Sequence, residues 1–100
     1  MLVTAPPDEA PQLARALVER RLCACVNLLE GARSFYRWEG EVQDDREALL
    51  VIKTTRAAYP ELERELPALH PYDLPELICL PVQRGLPDYL AWVASEVGAS

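Results

Sequence analysis

Lysine is nearly missing from this chain: Lys53 is the one lysine among ten cationic residues, and sixteen carboxylates bring the net charge to −6. Binding to a phosphate backbone relies on clustered cations that release counterions. Scattered arginines on an acidic chain exclude a nucleic-acid partner. Histidine is equally scarce, limited to His70, and Cys23, Cys25 and Cys79 contain no C-x-x-C pair. A four-ligand structural zinc site is therefore not expected, and three small buried thiols are the plain reading in a reducing compartment. There is no run of eighteen apolar residues and no basic-then-apolar leader, so neither a membrane span nor a signal peptide is expected, and the cytoplasm is the expected location. A glycine-rich phosphate loop, H-E-x-x-H and G-x-S-x-G are absent too. No catalytic constellation is read, and the chain is not expected to be an enzyme.

What is present in excess is two-sided apolarity. Half of the 100 residues are hydrophobic, and the strand-like segments are apolar on both faces. Leu22–Leu29 divides into Leu22, Ala24, Val26, Leu28 and Cys23, Cys25, Asn27, Leu29. Ala48–Thr54 gives Ala48, Leu50, Ile52 against Leu49, Val51, with Lys53 its one charge, and Leu77–Val82 behaves alike. Alternate strand residues point to opposite faces, so a sheet with one wet face should alternate with polar residues. The chain is too short to cover both faces itself.

The order of elements supports this. Met1–Ala5 reads as a first strand, then a helix with Asp8 as N-cap, Pro11 in its first turn, and Ala10, Leu13, Ala14, Leu17 and Val18 as an apolar stripe. The second strand starts at Leu22 and continues, past an irregularity at Glu30-Gly31, through Phe35-Tyr36-Arg37-Trp38. Glu39-Gly40 signals a tight turn into the third strand. A second helix starts near Tyr59, with Pro67 expected to disturb its last turn. Leu77–Val82 is the predicted fourth strand, and Pro87-Asp88 open a last helix with Leu90, Val93, Ala94 and Val97 inward. The fold class is α+β, a ferredoxin-like βαββαβ antiparallel sheet with an additional C-terminal helix, as one domain over residues 1–100. Helices cover one face. Burying roughly seven or eight side chains on the other is worth on the order of 10 kcal/mol, against an association cost of about 4–15 kcal/mol. Self-assembly is expected.

Thr4-Ala5-Pro6, Cys25-Val26-Asn27, Tyr36-Arg37-Trp38-Glu39-Gly40, Ile52-Lys53-Thr54-Thr55, His70-Pro71-Tyr72, Pro75-Glu76-Leu77, Leu80-Pro81-Val82 and Tyr89-Leu90-Ala91-Trp92 resemble, in order and spacing, the CutA family of divalent-cation-tolerance proteins. That resemblance implies a homotrimer built like the PII signalling proteins, and a link to copper and other divalent metals. It associates metal binding with a first-strand cysteine, here Val3, and an adjacent histidine pair, here Leu69-His70.

The candidate metal ligands are accordingly His70 and Cys25: imidazole suits copper or zinc, and thiolate suits Cu(I). Alternatively, His70 caps a helix C-terminus and Cys25 is packed in the core. Tyr36, Trp38, Lys53, Tyr72 and Glu76 form a candidate set for a small anionic ligand in clefts between subunits. The competing explanation is an interface salt bridge from Lys53 to an acidic residue such as Glu76. Asp44-Asp45-Arg46-Glu47 reads as a solvated charge cluster. The functional expectation is a homotrimer that tolerates or responds to divalent metal ions through copper binding; the alternative is a PII-like regulatory trimer binding a small anion, with no direct metal role.

Overall fold

In the computed structural model, which describes residues 1–98, the chain runs β1 (Leu2–Ala5), α1 (Ala10–Glu19), β2 (Cys25–Trp38), β3 (Glu41–Lys53), α2 (Tyr59–Leu69) and α3 (Pro87–Glu96). The three strands form one antiparallel sheet in the order β1-β3-β2. The long β2–β3 hairpin turns through Glu39 and Gly40, both at positive φ (51° and 83°), the mirror-image turn that matches strand twist. It accounts for the 45 Å long axis of a body only 26 by 21 Å across.

The predicted fourth strand is corrected. Within Leu77–Val82 only Ile78 pairs, exchanging both backbone hydrogen bonds with Leu2 at 2.9 and 3.1 Å. Antiparallel register carries the chain beyond Ile78 off the end of β1, which starts at Leu2, and Pro81 has no N–H to offer. The pairing still places this segment on the free edge of β1, giving the ferredoxin-like order of Ile78 segment, β1, β3, β2.

One face of the sheet carries the core. Val3 and Ala5 of β1 and Ala48, Leu50 and Ile52 of β3 pack with Leu13 and Leu17 of α1 and Leu62 and Leu66 of α2. Both helices start with a proline in their first turn, where a missing N–H costs nothing. Asp8 is not the cap: the N-cap of α1 is Glu9, without a side-chain hydrogen bond, and the Pro6 carbonyl accepts from Glu9 and Ala10 instead. Helix α2 continues through Pro67 to Leu69, held by Leu62 and Leu66 against the core.

Helix α3 departs from expectation. Val93 is buried, but Leu90 and Ala94, read as inward, are exposed, as are Tyr89 and Trp92. With the irregular stretch before it, α3 leaves Leu80, Val82, Leu86, Tyr89, Leu90 and Trp92 exposed on their own chain. A large contiguous apolar exposure of this kind marks an interaction surface.

Candidate functional site

The second face of the sheet is built by a one-residue bulge. Leu29 pairs with Leu49, but Ala32 pairs with Glu47, so three steps on β2 match two on β3. Gly31, at φ 89°, takes the left-handed conformation that such a bulge needs. Directly paired residues share a face. Before the bulge, Cys25, Asn27 and Leu29 therefore face outward with Lys53, Val51 and Leu49; after it, Ala32, Ser34, Tyr36 and Trp38 do so with Glu47, Asp45, Gln43 and Glu41. The bulge is what brings Cys25, Lys53, Tyr36 and Trp38 to one surface.

They do not form one site in a single chain. Lys53 and the Gln43 opposite Tyr36 are ten strand positions apart, about 33 Å at the rise of an extended strand, and Trp38 lies further out beside the turn. At the hairpin, Tyr36 donates its hydroxyl to Asp45 Oδ2. From the loop after α2, Tyr72 reaches the same patch and donates to Glu47 Oε2 at 2.9 Å. Glu47 is only 5 % exposed. Burial and the Glu47 carboxylate push the Tyr72 phenol far above its usual range, with Tyr36 and Asp45 adding to the effect; the hydrogen bond to Asp45 raises Tyr36 likewise. The structure thus gathers Tyr36, Tyr72, Asp45 and Glu47.

Asp45 and Glu47 were read in sequence as part of a solvated charge cluster, and that is corrected. Alternation divides the run: Asp44 faces the other way and is clasped by Arg33 through two hydrogen bonds of 2.9 and 2.8 Å, which hold its carboxyl below the ordinary carboxylate range. Counting back in twos from Lys53 reaches Val51, Leu49, Glu47 and Asp45, a signal available in the sequence.

Lys53 has no carboxylate partner among the described residues, and Glu76 is exposed and likewise unpaired. Within a single chain Lys53 and Glu76 do not pair with each other. Instead Lys53 Nζ lies 4.0 Å from Cys25 Sγ, its cross-strand neighbour.

His70 is buried at 6 % exposure and closes α2. Its Nδ1 accepts the Tyr72 backbone N–H at 3.1 Å, so the proton sits on Nε2, which donates to the Thr4 carbonyl at 2.7 Å. Its tilted ring contact with Tyr72, centroids 4.9 Å apart, completes the packing. Both nitrogens are committed, and a metal at His70 must displace the Tyr72 N–H. Nor does His70 meet Cys25. Thr4 pairs with Leu49 and Cys25 with Lys53, four positions along β3, or about 13 Å. No group of three or more His, Cys, Asp or Glu is placed to hold a metal among the described residues.

Residues 1–96 match the CutA1 divalent ion tolerance protein family. The divalent-cation tolerance protein CutA of Thermus thermophilus is 48 % identical over 99 residues, covering 98 % of this chain and 96 % of that protein, and its solved structure superposes with a TM-score of 0.92 over 97 % of this chain and 95 % of that one. A structure described as the PII-like protein CutA from Nostoc, in apo form, gives a TM-score of 0.92 at 35 % identity over 97 % of this chain and 94 % of that chain. Mouse protein CutA is 46 % identical over 92 residues, which are 91 % of this chain and 52 % of that longer protein. The chain belongs to the CutA1 family of divalent ion tolerance proteins.

Proposed function

We propose that the chain acts as a cytoplasmic homotrimer in the response to divalent metal ions, binding copper rather than catalysing a reaction. The observation that carries assembly is the uncovered second face. On that face Leu29, Ile78, Leu80 and Val82 are about half exposed or more, and Leu49 and Val51 between them on β3 are only partly covered. The segment beyond Ile78 pairs with no strand among the described residues, and β2 has a free edge; open edges and apolar faces are both satisfied by strands of another copy. A metal link is supported by the family's name, which is that of divalent ion tolerance proteins, and copper by Cys25, a partly buried thiol on this face. Light scattering on dilute native protein tests assembly: a mass three times the 11.2 kDa chain is expected, and a cooperatively folded monomer would overturn it. A copper titration tests binding.

One observation favours a second reading. Lys53 is the only lysine, sits on the uncovered face and has no carboxylate partner among the described residues. A trimer would bring Lys53 of one copy towards the hairpin aromatics of another, making an interfacial pocket for a small anion, as in a PII-like regulator. Glu76 would lie at the rim of that pocket. Thermal shifts with inorganic phosphate, a nucleotide and a dicarboxylate test it; no shift with any of them at millimolar concentration removes the reading.

A further inference from the structure

Strand alternation sorts charge across the two faces of the β2–β3 arm. Beyond the bulge, the face that continues the core side carries Arg33, Phe35 and Arg37 of β2 beside Arg46, Asp44 and Val42 of β3. Helices α1 and α2 pack over Ala48, Leu50 and Ile52 of this face and leave the arm's share bare. All six side chains are exposed, Phe35 at 64 % and Val42 at 66 %. Arg33 is clasped by Asp44 and stacks over Phe35, 5.2 Å from the ring centroid. Its direct cross-strand neighbour is Arg46, a like-charge opposition that costs stability. Neither Arg46 nor Arg37 has a carboxylate partner among the described residues.

Helix α3 carries the complement. Asp88, Trp92 and Glu96 follow at four-residue steps with Tyr89 beside them, which puts all four on one side of the helix. The Tyr89 and Trp92 rings lie 5.7 Å apart, and all four side chains are exposed. Residues 86–97 contain no lysine or arginine, and Asp88 and Glu96 have no cationic partner among the described residues. Within one chain the two surfaces stay apart. The Gly98 N–H donates to the Arg21 carbonyl at 2.8 Å, and Ala94 and Val97 line a recess with Leu22, Thr55 and Ala58. That corner adjoins Lys53, whereas Arg46 and Val42 lie seven and eleven positions away along β3, about 23 to 36 Å at the rise of an extended strand.

We propose that the arginine face of the arm in one copy docks on the Asp88–Glu96 side of α3 in the next copy. This rests on the homotrimer proposed above and adds a contact that its uncovered sheet face does not include. Arg37 and Arg46 gain the carboxylates they lack. Their guanidinium planes lie against Tyr89 and Trp92 as Arg33 already lies against Phe35. Phe35 and Val42 gain apolar cover. Because the two surfaces differ, each copy offers its arm to one neighbour and its α3 to the other. Contacts of that head-to-tail kind close as a ring.

Light scattering in rising urea, which leaves ionic strength unchanged, compares native protein with Arg37→Glu/Arg46→Glu, with Asp88→Arg/Glu96→Arg and with all four changes combined. Each double variant is expected to lose its assembled mass at about 1 M less urea than native protein, and the combined variant to recover at least half of that loss. A combined variant no better than the weaker double variant overturns the docking. Dissociation of the arm variant at the native midpoint leaves the arginine face outside the assembly, open to an acidic partner protein; it overturns the docking while the homotrimer stands. A monomeric native protein overturns both. Circular dichroism checks folding. Should a double variant not fold, Phe35→Cys/Trp92→Cys replaces it: oxidation is expected to link copies into covalent trimers that neither single variant forms, and unlinked chains overturn the docking.

Discussion

The hydroxyl of Tyr72 donates to Glu47 Oε2 at 2.9 Å, and this bond joins the loop after α2 to a buried carboxylate on β3. His70, two residues earlier, fixes the same loop to β1 through the Thr4 carbonyl. The loop is thus held at both ends by side chains whose partners lie on the sheet.

Removing the phenol leaves the Glu47 carboxylate buried without its donor. Tyr72→Phe is expected to lower stability by about 1–3 kcal/mol, read as a shift of the urea midpoint with an unchanged slope. A loss smaller than the error of the measurement would show that solvent replaces Tyr72 at Glu47.

The same bond sets an alkaline limit. The Tyr72 phenol is raised in the folded chain, so the unfolded chain loses that proton first, and the stabilisation is complete below the ordinary phenol value of about 10. As pH rises from there towards the folded value, wild type is expected to lose stability more steeply than Tyr72→Phe. Parallel curves between pH 9 and 11 would contradict this.

Burial pushes the Cys23 thiol up to about 11, with the neighbouring Cys25 adding to the shift. Cys23 is therefore a thiol at pH 8, and reaction with a disulfide reagent needs the thiolate. Titration of the metal-free native protein is expected to leave Cys23 unmodified until denaturant is added, identified by mass spectrometry of the labelled peptide. Prompt labelling of Cys23 would show that this corner opens in the native state.

His70→Ala removes both partners of a buried donor and acceptor, the Tyr72 N–H and the Thr4 carbonyl. A loss of about 1–3 kcal/mol is expected, with the number of Cu(I) ions bound unchanged. A variant as stable as wild type but with less copper would return His70 to the metal site.

Deleting Gly31 removes the extra residue between Leu29 and Ala32. Without it, Leu29 and Ala32 lie two steps apart, as do Leu49 and Glu47, so the ladder becomes regular and Ala32–Trp38 keep their face. Tyr36 and Trp38 stay on the uncovered face, and the assembly is expected to survive on size exclusion. Dissociation would mean that the bend the bulge puts into β2 shapes the interface.

Much of this arrangement was legible in the residues. The Glu39-Gly40 turn and the irregularity at Glu30-Gly31 lie where glycine marks them, because a positive φ costs glycine little. The Leu13–Leu17 and Leu62–Leu66 spacing placed two helix faces, since a 3.6-residue period leaves few other ways to bury them. The fourth strand was overread because a run such as Leu77–Val82 shows β-character but not whether a partner strand extends far enough beside it. Leu90 and Ala94 were placed inward because a stripe identifies what needs cover, and not which chain supplies it.

By itself, the order of residues determined the elements, their apolar faces and the family motifs, all of which depend on local conformation and on hydrophobic period. Only the tertiary structure decided that Glu47 is buried under Tyr72, that both nitrogens of His70 are taken, and that Lys53 lies beside Cys25. These are contacts between residues as many as 66 positions apart. They depend on strand register and bulge parity, which a one-dimensional pattern specifies only once the pairing is known.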